Sequence, residues 1–139
     1  MTSGLDATRY NRVAAWELIK MLPSLLHAAI NVSDLAAAEH FYGTVLGLTK
    51  VERSLKFSGA WYELGSFQLH LITAERDYPL PDQQEKWGRQ AHLAFAIANL
   101  KPVKQRLTEA KIPMQPSSSG RAAIFIHDPD GHVIELNQI

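Results

Sequence analysis

The stretch that decides the fold of this chain is DPDGHVIEL, residues 128–136. Its first four residues indicate a tight turn, because Pro129 presets one backbone angle and Gly131 accepts a positive one. The residues that follow alternate as a strand and place Val133 and Glu135 on one face. A carboxylate on a short apolar strand either faces water or points inward. The inward orientation requires a cation or strong donors that neutralise its charge.

The composition of the chain excludes several classes of protein. Its 139 residues suffice for one domain with a sizeable core, and its formal net charge of +0 gives no sign of binding to nucleic acid or to an anionic membrane. The absence of cysteine excludes disulfides, thiolate metal ligands and a cysteine nucleophile. Neither a membrane span nor the apolar stretch of a signal peptide is evident. We therefore expect a soluble, cytoplasmic protein.

An internal repeat organises the sequence. A shift of 65 positions places His27 on His92 and Asp34 on Asn99. Each half then has the pattern of a strand, a helix and three strands. Asp34 in the first half and Asn99 in the second are N-cap signals for the helix. The histidine lies early in the first strand of each half.

The repeat sets the expected domain boundaries. We predict one domain over residues 25–139, with module one at about 25–75 and module two at about 90–139. The irregular segment between the modules contains prolines and charges and is interpreted as a linker or mobile flap. Before the domain, apolar residues at helical spacing predict an amphipathic helical extension within residues 1–24.

The two corresponding histidines share their strand faces with small residues. His27 is followed at the next position on its face by Ala29, and His92 by Ala94, which leaves room beside each imidazole. One buried histidine is more often a core residue than a ligand, but two at corresponding positions of a repeat favour a ligand role. With Glu135 they form a 2-His-1-carboxylate set suited to Fe(II), Mn(II), Ni(II) or Zn(II) with open coordination positions.

A fourth protein ligand is expected from the third strand of the first half. The shift of 65 positions maps His70 onto Glu135, whereas aligning the dipeptide QL at 68–69 with EL at 135–136 favours Gln68 instead. Both side chains lie on one strand face, so either or both can line the site. The repeat slightly favours His70.

Arg121 is the candidate substrate-binding residue. It follows the turn SSSG at residues 117–120 and begins a strand. Its planar guanidinium can orient an anionic group of a substrate through a fork of donors. The alternative interpretation is an exposed arginine at a strand end with no functional role.

Motifs in both halves resemble the vicinal oxygen chelate superfamily, which contains glyoxalase I, extradiol dioxygenases, fosfomycin-resistance thiol transferases, methylmalonyl-CoA epimerase and bleomycin-binding proteins. The residues that carry this resemblance are His27, DL at 34–35, FY at 41–42, LGL at 46–48, His92, DPDG at 128–131 and IEL at 134–136. The resemblance implies an α+β fold in which two βαβββ modules form a curved half-barrel, preceded here by the helical extension. It also implies a divalent metal held by His27, His92 and Glu135, and pairing of modules, often across a homodimer.

The function implied by the resemblance is that of a glyoxalase-like, metal-dependent enzyme of the lyase or isomerase type. Such an enzyme chelates two oxygens of a small oxygenated substrate and stabilises an oxyanion, and we assign Glu135 as the candidate catalytic residue. Gln68 or His70 replaces the second glutamate of glyoxalase I, and Ala29 replaces a substrate-binding threonine of the fosfomycin transferases. The alternatives are a fosfomycin-type thiol transferase, a small extradiol-type dioxygenase and a non-catalytic small-molecule-binding protein of the bleomycin-resistance kind.

Overall fold

The structure, a computed structural model, describes residue 21 and residues 23–52, 54 and 56–139. The helical extension predicted within residues 1–24 lies almost entirely outside this part of the chain. Among the described residues, no helix has the length and apolar character needed to cross a bilayer.

The described chain folds into two sheets of four strands, each accompanied by one helix. The elements of module one are β1 (His27–Val32), α1 (Leu35–Glu39), a π-helical continuation of α1 (His40–Val45), β2 (Thr49–Lys50), β3 (Gly59–Leu64) and β4 (Phe67–Thr73). Those of module two are a 3₁₀ turn (Trp87–Arg89), β5 (His92–Ile97), α2 (Leu100–Glu109), β6 (Gln115–Pro116), β7 (Ala123–His127) and β8 (Val133–Gln138).

Both sheets have the same topology, which confirms the predicted pair of βαβββ modules. The strand orders are β1-β4-β3-β2 and β5-β8-β7-β6, and the first strand of each module runs parallel to the last. The predicted caps are also present, because the side chain of Asp34 accepts from the Ala37 N–H and that of Asn99 from the Lys101 N–H. The fold is therefore an α+β fold built from a duplicated unit.

Local geometry is irregular at two places in module one. The helix widens after Glu39 into a π-helix, in which the Leu46 N–H donates to the carbonyl of Phe41 at 2.9 Å. Strand β2 has only two residues, and its pairing with β3 ends where the Val51 N–H donates to the carbonyl of Trp61.

The two modules share one hydrophobic core between their helices and one face of each sheet. Leu69 and Leu71 of β4 and Ile134 of β8 have no exposed surface, and they belong to the same cluster as Leu107 of α2. Alternation along each strand turns the histidine-bearing face of each sheet away from this core.

The turn between β7 and β8 fastens module two to module one. Asp130 accepts hydrogen bonds from the N–H (2.9 Å) and hydroxyl (2.6 Å) of Ser33, and Asp128 accepts one from the Tyr42 hydroxyl (2.6 Å). Both carboxylates are at most 4 % exposed. Burial raises the pKa of Asp128, and the hydrogen bond from Tyr42 opposes that rise by stabilising the ionised form.

Replacing Tyr42 with Phe should lower the free energy of unfolding by about 1–3 kcal/mol at neutral pH, because a buried carboxylate oxygen loses its donor. The pKa of Asp128 rises further in this variant, so the loss should diminish as the pH falls through that pKa and Asp128 is protonated in both proteins. Denaturant unfolding at several pH values measures both effects. Tyr78→Phe is the control, since Tyr78 is 41 % exposed. Equal losses in the two variants would contradict this role for Tyr42.

Candidate metal centre

In module two, strand register brings His92 and Glu135 onto the same face of the sheet. Parallel pairing of β5 with β8 sets Ala94 opposite Glu135, and the small side chain leaves space for the imidazole two residues earlier. His92 Nε2 lies 3.2 Å from Glu135 Oε2. Glu135 is 5 % exposed, so its carboxylate is buried and does not face water. Of the two orientations that the sequence left open for this residue, the structure shows the buried one.

The tautomer of His92 follows from its second nitrogen. Nδ1 lies 2.7 Å from the carbonyl oxygen of Gln90, which only accepts, so Nδ1 carries a proton and donates it. Nε2 then faces a carboxylate oxygen and needs a positive charge between the two atoms, either a proton or a metal cation. A histidine that donates its other N–H to a backbone carbonyl is the usual arrangement of a metal ligand.

The second oxygen of Glu135 is also chemically unsatisfied. Oε1 is buried and accepts no hydrogen bond from any described residue. The nearest cationic group in this part of the chain is Arg121 Nη2, at 3.6 Å. An orphaned carboxylate oxygen beside an oriented imidazole matches the donor chemistry of a divalent metal site. We call His92 and Glu135 the half-site of module two. Its residues therefore fit such a metal.

A short segment packs against strands β7 and β8 beside this half-site. We refer to residues 85–89 as the strap. Its Trp87 is 3 % exposed, packs with Phe125 and Val133, and lies with its ring 4.1 Å from that of His127. The side chain of Gln115 accepts from the Trp87 N–H and donates to the carbonyl of Glu85, both at 2.9 Å. The irregular segment between the modules, interpreted from the sequence as a linker or mobile flap, is therefore anchored at its C-terminal end by the strap.

In module one, the corresponding face carries a stack of three rings. The His70 ring lies 4.2 Å from that of His27 and 3.8 Å from that of Trp61, nearly parallel to both. His70 Nε2 is 2.9 Å from Gln68 Oε1, so the two candidate fourth ligands contact each other. His70 pairs with Ala29 as Glu135 pairs with Ala94, which makes His70 the structural counterpart of Glu135.

The described part of one chain does not unite these two half-sites. It contains no group of three or more histidine, cysteine, aspartate or glutamate side chains placed to hold one metal ion. His92 and Glu135 form one pair, and His27 and His70 form another. The three-ligand set of His27, His92 and Glu135 therefore stays a prediction. His132 lies outside both pairs, with its Nε2 2.7 Å from the carbonyl of Asn31.

Two βαβββ modules, each with a histidine at the start of its first strand, define a protein of the paired-module half-barrel class. The chain belongs to the Glyoxalase/Bleomycin resistance protein/Dioxygenase superfamily, whose family model matches residues 24–136. The resemblance drawn from the sequence motifs is thereby confirmed.

Relatives with named activities support an enzyme in general. The chain is 33 % identical over 120 residues to the glutathione transferase FosA of Serratia marcescens, covering 84 % of this chain and 82 % of that protein. It is 30 % identical over 122 residues to Glyoxylase I 4 of Arabidopsis thaliana, covering 83 % and 70 % respectively. A glyoxalase/dioxygenase crystal structure from Nostoc punctiforme superposes with a TM-score of 0.68 at 28 % identity, covering 84 % of this chain and 91 % of that one.

Replacing Gln115 with Ala should release the strap, because the Trp87 N–H and the Glu85 carbonyl lose their partner. We expect exchange of the Trp87 amide hydrogen to accelerate by about tenfold or more, and stability to fall by about 1–2 kcal/mol. Gln84→Ala is the matched control, since that exposed side chain makes no hydrogen bond among the described residues. An unchanged exchange rate at Trp87 would show that Gln115 does not anchor the strap.

Proposed function

We propose that this protein is a glyoxalase-like, metal-dependent enzyme that acts on a small oxygenated substrate. The observation that carries the proposal is the pair formed by His92 and Glu135. A buried carboxylate and an imidazole with a fixed tautomer face each other across 3.2 Å, and this pair requires a positive charge between its members. Superfamily membership and the named activities of the relatives support the same reading.

The residues that would hold the metal are His27, His92 and Glu135, with His70 or Gln68 as a fourth ligand. Their nitrogen and oxygen donors suit Fe(II), Mn(II), Ni(II) or Zn(II). When bound, a divalent metal of this kind supplies Lewis-acid stabilisation of an oxyanion on a substrate chelated through two adjacent oxygens.

The other groups of the half-site have roles that follow from their positions. Glu135 Oε1, buried and without a hydrogen bond from the described residues, is the proposed acceptor for a proton taken from the substrate. The Gln90 carbonyl keeps the proton of His92 on Nδ1 and leaves Nε2 for ligation. Arg121, which lies 3.6 Å from Glu135, would orient an anionic part of the substrate. These roles describe proton transfer of the lyase or isomerase type.

We also propose that the centre is completed in a homodimer, with His27 from one chain and His92 and Glu135 from the other. Strands β1 and β5, which carry the histidines, are the edge strands of their sheets and are available for pairing with another chain. Leu25 and Leu26, immediately before β1, are 81 % and 72 % exposed. An apolar, unpaired edge next to half of a ligand set favours a symmetric interface.

A fosfomycin-type thiol transferase is the second candidate. The similarity to FosA favours it, as does the sequence E-x-G-S at residues 63–66, which resembles those transferases. Ala29, in place of their substrate-binding threonine, weighs against it. The two candidates differ in whether turnover requires an added thiol such as glutathione.

The native protein, purified without chelator, should bind close to one divalent metal ion per chain. His92→Ala should weaken Mn²⁺ binding by more than about a hundredfold, which is the upper end of the loss from changing a group that only supports a ligand. Paramagnetic resonance of free Mn²⁺ measures the binding. His40→Ala, which changes an exposed histidine outside both half-sites, should bind as the native protein does. A folded native protein that contains no divalent metal and takes up none on titration would overturn the proposal.

Mixing variants should show whether two chains share the centre. His27→Ala and His92→Ala homodimers should bind no metal, whereas their heterodimer should bind one ion per dimer, because one of its two centres then has all its ligands. Two affinity tags isolate the heterodimer for metal analysis. The control pairs His92→Ala with Glu135→Gln, which both lie in module two, so neither centre is restored. No recovery in the first heterodimer, or a monomeric native protein by light scattering, would contradict the shared centre.

A further inference from the structure

A cavity of about 430 Å³ adjoins Arg121 on the histidine-bearing side of module two. Its lining includes Lys86, Arg89, Arg121, Phe125 and the serines of residues 117–119. We infer that this cavity is a subsite for an oxyanion of the substrate, that is, a carboxylate, phosphonate or phosphate group. The inference rests on the proposed function in one respect, because it takes the neighbouring Glu135 to be part of the reaction centre.

The charge of the cavity carries the inference. Among the described residues, three cationic side chains line it and no acidic side chain does. The formal net charge of the whole chain is +0, so this concentration of positive charge is local. Within the described residues, neither Lys86 nor Arg89 has a carboxylate within 4 Å, and only Arg121 has one, in Glu135. A concave site in which two of three cations have no carboxylate partner favours an anionic ligand and repels a cationic one.

The serine-rich turn adds donors and orients one of the cations. Ser119 Oγ accepts from Arg121 Nε at 3.0 Å and lies 2.8 Å from Ser117 Oγ. Arg121 thus lines the cavity while its Nη2 lies 3.6 Å from Glu135 Oε1. An anion bound by this guanidinium would therefore lie one side chain from the proposed reaction centre. A single substrate molecule can therefore occupy both the cavity and the proposed reaction centre at Glu135.

The strap gives the subsite a fixed wall. Lys86 and Arg89 flank the buried Trp87 and the adjacent Gly88, so their backbone is held while their side chains are exposed. A Cβ at residue 88 would lie 2.7 Å from Phe125 Cζ, which shows how closely the strap approaches the aromatic floor of the cavity. Positions fixed in this way lower the entropic cost of ligand binding. The substrate class is thus a small organic molecule with adjacent oxygens and one anionic group.

Titration of the ¹⁵N-labelled native protein with methylphosphonate and, separately, with acetate tests the inference. We expect saturable amide shifts confined to residues 85–89 and 115–121 with at least one of the two anions. The anion that binds more tightly then shows whether the subsite prefers a tetrahedral or a planar anionic group. The double variant Lys86→Gln/Arg89→Gln should weaken binding by about tenfold or more, because each lost cation removes a charge-assisted contact. The double variant Lys101→Gln/Lys104→Gln, which removes two exposed cations of α2, is the charge-matched control and should bind as the native protein does.

Mn²⁺ binding, measured in parallel, separates this inference from the proposed function. Neither Lys86 nor Arg89 is a proposed metal ligand, so the double variant should bind Mn²⁺ as the native protein does. Shifts that are absent in the native protein with both anions, or undiminished in the double variant, would overturn the subsite. Anion binding that follows the expected pattern in a protein without metal affinity would support the subsite and overturn the metal-dependent function.

Discussion

Two buried carboxylates at one turn hold the modules in a fixed relation. Asp130 reaches the start of α1 through both polar groups of Ser33, and Asp128 reaches Tyr42 in the π-helical segment. Burying two carboxylates is unfavourable unless donors surround them, so these contacts specify one arrangement of the modules rather than several. The helices then meet in one core, and each sheet turns its histidine-bearing face outward.

The two modules have the same strand pairing but different side chains at corresponding positions of their sheets. His70 and Glu135 occupy corresponding places opposite an alanine, yet one is an imidazole stacked between two rings and the other is a buried carboxylate. Module one therefore offers imidazole and amide donors on an aromatic surface, and module two offers a carboxylate. The strap packs on module two through Trp87, which contacts Phe125 and Val133.

Much of the fold could be predicted from the sequence because its signals are local and occur twice. The caps at Asp34 and Asn99 and the alternation around Glu135 are set by neighbouring residues, and the shift of 65 positions relates one module to the other. The strap could not be predicted, because its course depends on contacts of Trp87 with residues far along the chain. The one available signal was a large aromatic residue in a polar segment. The predicted joining of His27 and Glu135 in one site also has no local signal, since it depends on how modules of one or two chains pair.

Charge connects the proposed centre with the neighbouring cavity. A divalent ion bound at the proposed centre by imidazoles and a single carboxylate would keep a net positive charge, and Arg121 adds another positive charge 3.6 Å from that carboxylate. Lys86 and Arg89 extend the same sign across the adjoining cavity. Among the described residues no acidic side chain of that cavity offsets these charges, so the proposed ligand would supply the compensating negative charge. A substrate that chelates through anionic oxygen and carries a second oxyanion would satisfy both places at once, whereas a cationic ligand would be repelled at each.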